Sequence, residues 1–123
     1  MKEYVSVDVE TTGLAPKQDK IIEIGAVRVR DGQIVGSFTC FVNPGRILPA
    51  HITELTGILQ EQVDEAETME SVLPAFLEFA GDLPLMGHRI LFDYGFLKRA
   101  AVNMRLDFER SGVDTLKLSR QFL

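Results

Sequence analysis

Tyr4-Val5-Ser6-Val7-Asp8-Val9-Glu10-Thr11-Thr12-Gly13-Leu14 is the stretch on which the fold turns. Residues 4–10 alternate strictly between apolar and polar. A strand of period two therefore sends Val5, Val7 and Val9 to one face and Ser6, Asp8 and Glu10 to the other. Two carboxylates spaced this way lie roughly 7 Å apart at the backbone, and their side chains can converge on one cation. Half-buried carboxylates are costly unless paired or metal-bound. The spacing alone is also what an exposed strand face carries, and that is the commoner origin of an isolated pair. Thr11-Thr12-Gly13 then breaks the alternation as a turn, and Gly13 permits close backbone approach.

Working outward, Ile21 to Val29 reads as a second strand. Its apolar phase moves from Ile22/Ile24 to Val27/Val29 around Gly25, which predicts a bulge there. Asp31-Gly32 is a hairpin signal, because both residues tolerate positive φ. Ile34, Phe38, Cys40 and Val42 alternate through a third strand, ended by Asn43-Pro44-Gly45. Arg46 to Glu67 reads mostly as loop, with one helical turn from Pro49 to Thr56 stopped by Gly57. Val72, Leu73, Phe76, Leu77 and Ala80 form a helical stripe. Ser71 as its cap would leave Pro74 in the first turn, where amides lack partners anyway. Leu83 to His88 reads as a short buried strand, and Phe92, Phe96, Leu97, Ala100 and Met104 as a second helical stripe. Val113-Asp114-Thr115-Leu116 opens a further element. The order implies an α/β layer architecture with one central sheet.

The length of 123 residues suits one domain, taken here as residues 1–123. With 46% hydrophobic and 25% charged residues, the composition is that of a folded soluble protein. No apolar run approaches the roughly 20 residues a membrane span needs. The N-terminus shows no signal-peptide core, so cytoplasmic residence with no membrane association is expected. The net charge of −5 argues against a protein that grips nucleic acid mainly by counterion release. It leaves room for one that reaches phosphates through divalent cations, which reverse the local charge. Cys40, the single cysteine, has no internal disulfide partner and reads as a small core residue.

A third carboxylate, Asp93, stands at the start of the second helical stripe, just after a short strand. The end of that strand could place Asp93 beside Asp8. Carboxylates gathered from different elements suit Mg²⁺ or Mn²⁺, which prefer hard oxygen ligands.

These residues carry a resemblance. Val5 to Leu14 resembles the first motif of the DEDD-type (DnaQ-like) 3′–5′ exonucleases, and Gly87-His88-Arg89-Ile90-Leu91-Phe92-Asp93-Tyr94-Gly95-Phe96-Leu97 resembles their second. Between them, Ile52-Thr53-Glu54-Leu55-Thr56-Gly57-Ile58 is similar to a family loop on the substrate side. Asp114 through Arg120 is similar to the segment before the third motif. The match is nearest to the proofreading exonuclease domains of bacterial DNA polymerase III, of the epsilon-subunit or PolC kind. The resemblance implies an RNase H-like mixed sheet, an antiparallel three-strand meander plus a parallel strand, flanked by helices. It implies two divalent ions, Mg²⁺ or Mn²⁺, with Asp8, Glu10 and Asp93 as the catalytic and metal-holding residues. It also implies a substrate side formed by Thr12, Gly13, Leu14, Thr56, Ile58 and His88, with Leu14 packing on the last base. The implied substrate is a single-stranded DNA 3′ end, with a DNA polymerase subunit as partner. Stand-alone relatives that trim RNA share these motifs, and the oligomeric state is unreadable.

The third family motif, a histidine followed by an aspartate, has no counterpart in these residues. The chain alone is therefore expected to be a truncated domain, inactive or impaired. A non-catalytic module that binds nucleic acid or a polymerase is the alternative from another class. Asp114 matches a different position and is not a substitute for the missing aspartate. His88, at the end of a buried strand, reads as a structural histidine, whereas His51 could contact substrate or solvent. Arg89 stands where the family usually has asparagine; it could touch phosphate or be a solvated surface residue.

Overall fold

A computed structural model of the chain describes residues 2–108. The readings placed on Val113 to Leu116 and on Asp114 to Arg120 lie outside the described residues. Strand β1 spans Glu3–Thr11, β2 Ile21–Arg30 and β3 Gln33–Phe41. Helices α1 (Ala50–Thr56), α2 (Gln60–Asp64) and α3 (Met69–Ala80) follow, then β4 (Leu85–Met86) and α4 (Ile90–Asn103). The described strands form one sheet in the order β3-β2-β1-β4. The first three are antiparallel and β4 runs parallel to β1, as expected of a mixed sheet.

The alternation of β1 works as the sequence dictates. Val5, Val7 and Val9 are buried among Leu73 and Phe76 of α3 and Leu97 of α4, while Asp8 is exposed and Glu10 half-buried on the other face. At roughly 1.5–3 kcal/mol for each fully buried valine, this face fixes the strand's register against a one-residue slip. The β2–β3 hairpin turns on Asp31 (φ 51°) and Gly32 (φ 83°), the two positive-φ positions its sequence is suited to.

Four readings need correction. Gly25 is in regular register, opposite Asp8 on β1 and Thr39 on β3; the shifts fall at Glu10/Thr11 and at Arg28/Val29. The apolar phase of β2 changes because both sheet faces are covered. Ile24 and Ala26 join the helix-side core, whereas Val27 and Val29 pack with Tyr4 and Met86 on the opposite face. The shift at Arg28/Val29 leaves Val35 without a partner across the ladder. It also takes Ile34 out of the alternation with Phe38 and Cys40 and leaves it at the surface. The segment between β3 and α3 is more ordered than a loop. Val63 of α2 is fully buried with Ile22, Leu48, Ile52 and Ile58 in a second small core. Gln60 Oε1 accepts the Leu48 N–H at 2.6 Å, and Gln62 Oε1 accepts the Leu59 N–H at 2.8 Å. Finally, Thr68 rather than Ser71 precedes α3, so Pro74 sits inside the helix. The ring faces solvent, where the carbonyl it leaves unpaired can bind water. Burial of Val72, Leu73, Phe76 and Ala80 outweighs the local cost.

Helix α4 places Asp93 in its buried stripe. Ile90, Asp93, Phe96, Leu97 and Ala101 are buried, and Phe92, Ala100 and Met104 pack partly against the same core. The chain reaches α4 through Gly87, which lies against β1. A Cβ there would stand 2.5 Å from the Val7 carbonyl oxygen and 3.6 Å from Asp93 Oδ2. Among the described residues no helix is long and apolar enough to cross a membrane.

Candidate active site

The carboxylates expected to act together are carried by two elements, Asp8 and Glu10 by β1 and Asp93 by the first turn of α4. Asp93 is 1% exposed. Its Oδ1 accepts the Val9 N–H at 3.4 Å, tying the first turn of α4 to β1, and its Oδ2 is buried with no hydrogen-bond partner. Burial, and then the charge of Asp8, push the Asp93 carboxyl up to about 7; the Val9 N–H and Arg89 pull the other way. Glu10 is also raised, first by burial and then by Asp8 and Glu23. A buried acid with an orphaned oxygen beside other acids favours a bound proton or a bound cation over the bare carboxylate.

Glu23 belongs to this group and was not singled out in the sequence. It sits directly opposite Glu10 in the β1–β2 ladder. Burial and Asp8 raise its carboxyl too. Like charges directly across a ladder are destabilising, so Glu10 and Glu23 raise the cost of ionising this end of the sheet. The available signal was the lone acid inside the apolar run Ile21-Ile22-Glu23-Ile24. Cys40, half-buried at the core edge as expected, has its thiol raised by burial and then by Glu23. Among the described residues no three acidic, histidine or cysteine side chains already form a group that could hold a metal ion. The carboxylates are near enough to perturb one another without having converged.

The turn after β1 is held from within. The Thr12 hydroxyl donates to Asp19 Oδ1 at 3.1 Å and accepts the Lys20 N–H at 3.0 Å; Asp19 Oδ2 accepts the Ala15 N–H at 3.0 Å. The close approach that requires Gly13 is this same carboxylate, which a Cβ would strike. Leu14, next in sequence, is 78% exposed. On the loop side, the Thr56 hydroxyl donates to the Ile52 carbonyl at 2.7 Å and accepts the Ile58 N–H at 3.1 Å, closing α1 before Gly57 at φ 79°. Ile58 is buried in the second core rather than presented at the surface. His88 is exposed just beyond β4, contrary to the reading of it as a structural histidine, because β4 ends at Met86. His51 is exposed on α1. A groove of about 280 Å³ between the β1–β2 turn, α3 and α4 is lined by Asp19, Lys20, Phe96 and Met104 among others, and contains none of the four carboxylates.

Sheet order, helix placement and the acid-bearing first strand define an RNase H-like exonuclease fold. The structure of E. coli exonuclease I in complex with a dT13 oligonucleotide superposes with a TM-score of 0.77, over 87% of this chain and 25% of that one, at 16% identity. The nuclease domain of 3′hExo, a DEDDh family member bound to rAMP, gives 0.73 over 90% of this chain and 64% of that one, at 25% identity.

The sequence narrows the class further. The profile of the exonuclease (RNase T) family matches residues 5–123, and the chain belongs to that family, a class of phosphodiester hydrolases. The PolC-type DNA polymerase III of Clostridium perfringens is 48% identical over 118 residues, covering 96% of this chain and 8% of the polymerase. That of Bacillus subtilis is 43% identical over 120 residues, 95% of this chain and again 8% of the polymerase. A putative bifunctional exonuclease/endonuclease protein of Mycobacterium tuberculosis is 42% identical over 127 residues, 98% of this chain and 20% of that protein. The chain thus spans a small fraction of the length of these relatives.

Proposed function

We propose that residues 1–123 belong to one 3′–5′ exonuclease domain that removes nucleoside monophosphates from single-stranded DNA 3′ ends, as in polymerase proofreading. The observation that carries this reading is the buried, partnerless Oδ2 of Asp93 beside the charge of Asp8. Hard oxygen donors in this setting fit Mg²⁺ or Mn²⁺, which Asp8, Glu10 and Asp93 would hold as the catalytic residues. A pair of such ions, when bound, supplies activation of the attacking water and stabilisation of the leaving 3′ oxygen.

The chain's own residues do the rest. Val9 ties Asp93 to β1 through its N–H, which holds the first turn of α4 against the strand that carries Asp8 and Glu10. Leu14 offers an exposed apolar surface to the terminal base, a contact that reads no sequence. Thr12 and Gly13 hold the turn that carries Leu14, Thr56 and Ile58 shape the loop side, and His88 stands at the exposed rim. The PolC-type relatives favour DNA as substrate and a polymerase as partner. The rAMP-bound relative keeps RNA trimming as the second reading.

The test is Mn²⁺ titration with 5′-labelled single-stranded DNA, using the intact protein and its Asp8→Ala variant. Metal-dependent shortening from the 3′ end, lost in the variant, is expected. Matched ribo-oligonucleotides trimmed faster than DNA would move the assignment to RNA. Saturable DNA binding with no trimming at any metal concentration would move it to a non-catalytic module.

A further inference from the structure

Arg89 stands at the entrance to α4, exposed, with its Cζ 3.9 Å from the centroid of the Phe92 ring. Phe92 is itself fixed, packed at 5.0 Å against Phe96, which is 2% exposed. The guanidinium is therefore carried on a short aromatic stack rooted in the core. Its charge is felt by both Glu10 and Asp93, which it pulls toward the ionised form. Yet among the described residues its side chain makes no hydrogen bond and no ion pair; the ion pairs there join Arg28 and Arg30 to Glu3. A planar fork of five donors thus stands over the Phe92 ring beside an acidic site with its donors unused. The chain's charge of −5 makes a cation at this rim conspicuous, since a phosphodiester strand approaching here meets carboxylates first.

We propose that Arg89 grips a backbone phosphate of the single-stranded substrate through a bidentate contact, with Phe92 as the platform that holds the guanidinium ready. The proposal rests on the exonuclease reading. Arg–phosphate pairs of this kind add geometric specificity as well as energy. Stacking the guanidinium on a ring before substrate arrives lowers the ordering cost of binding. The contact is to phosphate rather than base, so it holds the strand without selecting sequence.

The experiment measures affinity for 5′-labelled oligo(dT) as a function of salt, in the full protein chain carrying Asp8→Asn to block cleavage. Arg89→Ala is expected to weaken binding roughly ten- to hundredfold. It should also reduce the slope of log affinity against log salt by about 0.7, the value of one phosphate contact on a single strand. Arg89→Lys should keep the slope and recover only part of the affinity, because it retains the charge but not the fork. Phe92→Leu should keep the slope with an intermediate loss. In the cleaving enzyme, Arg89→Ala should raise KM with kcat little changed. An Arg89→Ala protein with unchanged affinity and slope, while the parent enzyme trims 3′ ends, overturns the proposal and leaves the exonuclease reading standing. So does a variant that alters only the metal-free pH–stability profile, since Arg89 would then merely balance Glu10 and Asp93. A parent enzyme that binds but never trims overturns the exonuclease reading itself. Arg89→Gln, which keeps the stem and polarity, separates loss of contact from misfolding should the alanine variant be unstable.

Discussion

Replacing Asp93 by asparagine should flatten the metal-free pH–stability profile of this domain. In the folded chain the Asp93 carboxyl stands at about 7, raised by burial and then by Asp8. In the unfolded chain it returns to about 3.9. Between these values the native state holds a proton that the unfolded state has lost, so stability falls as pH rises. It is greatest below about pH 4 and has declined by the full amount once pH has passed about 7. The shift of roughly three units corresponds to something on the order of 4 kcal/mol. For a domain of this size that is about 12–16 °C in Tm. Asparagine keeps an oxygen for the Val9 N–H but buries an amide, at a cost of about 1–3 kcal/mol where it finds no acceptor. Asp93→Asn should therefore be the less stable protein at pH 5 and the more stable one at pH 8.5, with the two curves crossing between.

The assay is thermal unfolding in EDTA from pH 4.5 to 9, repeated with Mn²⁺. A shallower slope of the same sign should survive in the variant, because Glu10 and Glu23 are raised as well. Mn²⁺ should stabilise the parent most at high pH, where Asp93 is ionised, and the variant much less. If Asp93→Asn kept the full pH dependence of the parent, the argument from its burial would be wrong.

Asp8→Asn should abolish 3′ trimming and yet raise metal-free stability at pH 8 by about 1 kcal/mol, because Asp8 raises Glu10, Glu23 and Asp93 alike; the same EDTA melts check it. Gly87→Ala should cost about 3 kcal/mol in denaturant unfolding and lower trimming as well, since the new methyl meets the Val7 carbonyl and separates α4 from β1. Gly13→Ala should destabilise through collision with the Asp19 carboxylate. Asp19→Ala should destabilise through loss of its bonds to Thr12 and Ala15. The double variant should be no worse than the sum less about 1 kcal/mol, a coupling read directly from a double-mutant cycle.

The sequence displayed the site where chemistry is local in the chain and concealed it where chemistry is made by register. Asp8 and Glu10 were legible because period two puts them on one face. Asp93 was legible because an acid opens an apolar helical stripe after a strand too short to hide it. Glu23 depended on the alignment of β1 with β2, and that alignment is set across residues 12–20 by side-chain bonds of Thr12 and Asp19 that no periodicity announces. The same cause accounts for the fold errors. Val27 and Val29 mimicked a bulge because Tyr4 and Met86 cover a sheet face that a one-sided reading leaves to solvent. The five-residue α2 is too short to show a stripe and exists because Val63 fills a core made by Ile22, Leu48, Ile52 and Ile58. His88 was drawn inward because the short strand was read as reaching it, whereas β4 ends at Met86 and leaves it outside. Glu10, Glu23 and Asp93 are raised by burial and then by the charge of Asp8. The assembled cluster is therefore a local cost in stability when its carboxylates are ionised, and propensity along the chain cannot register a cost that appears only when β1, β2 and α4 meet.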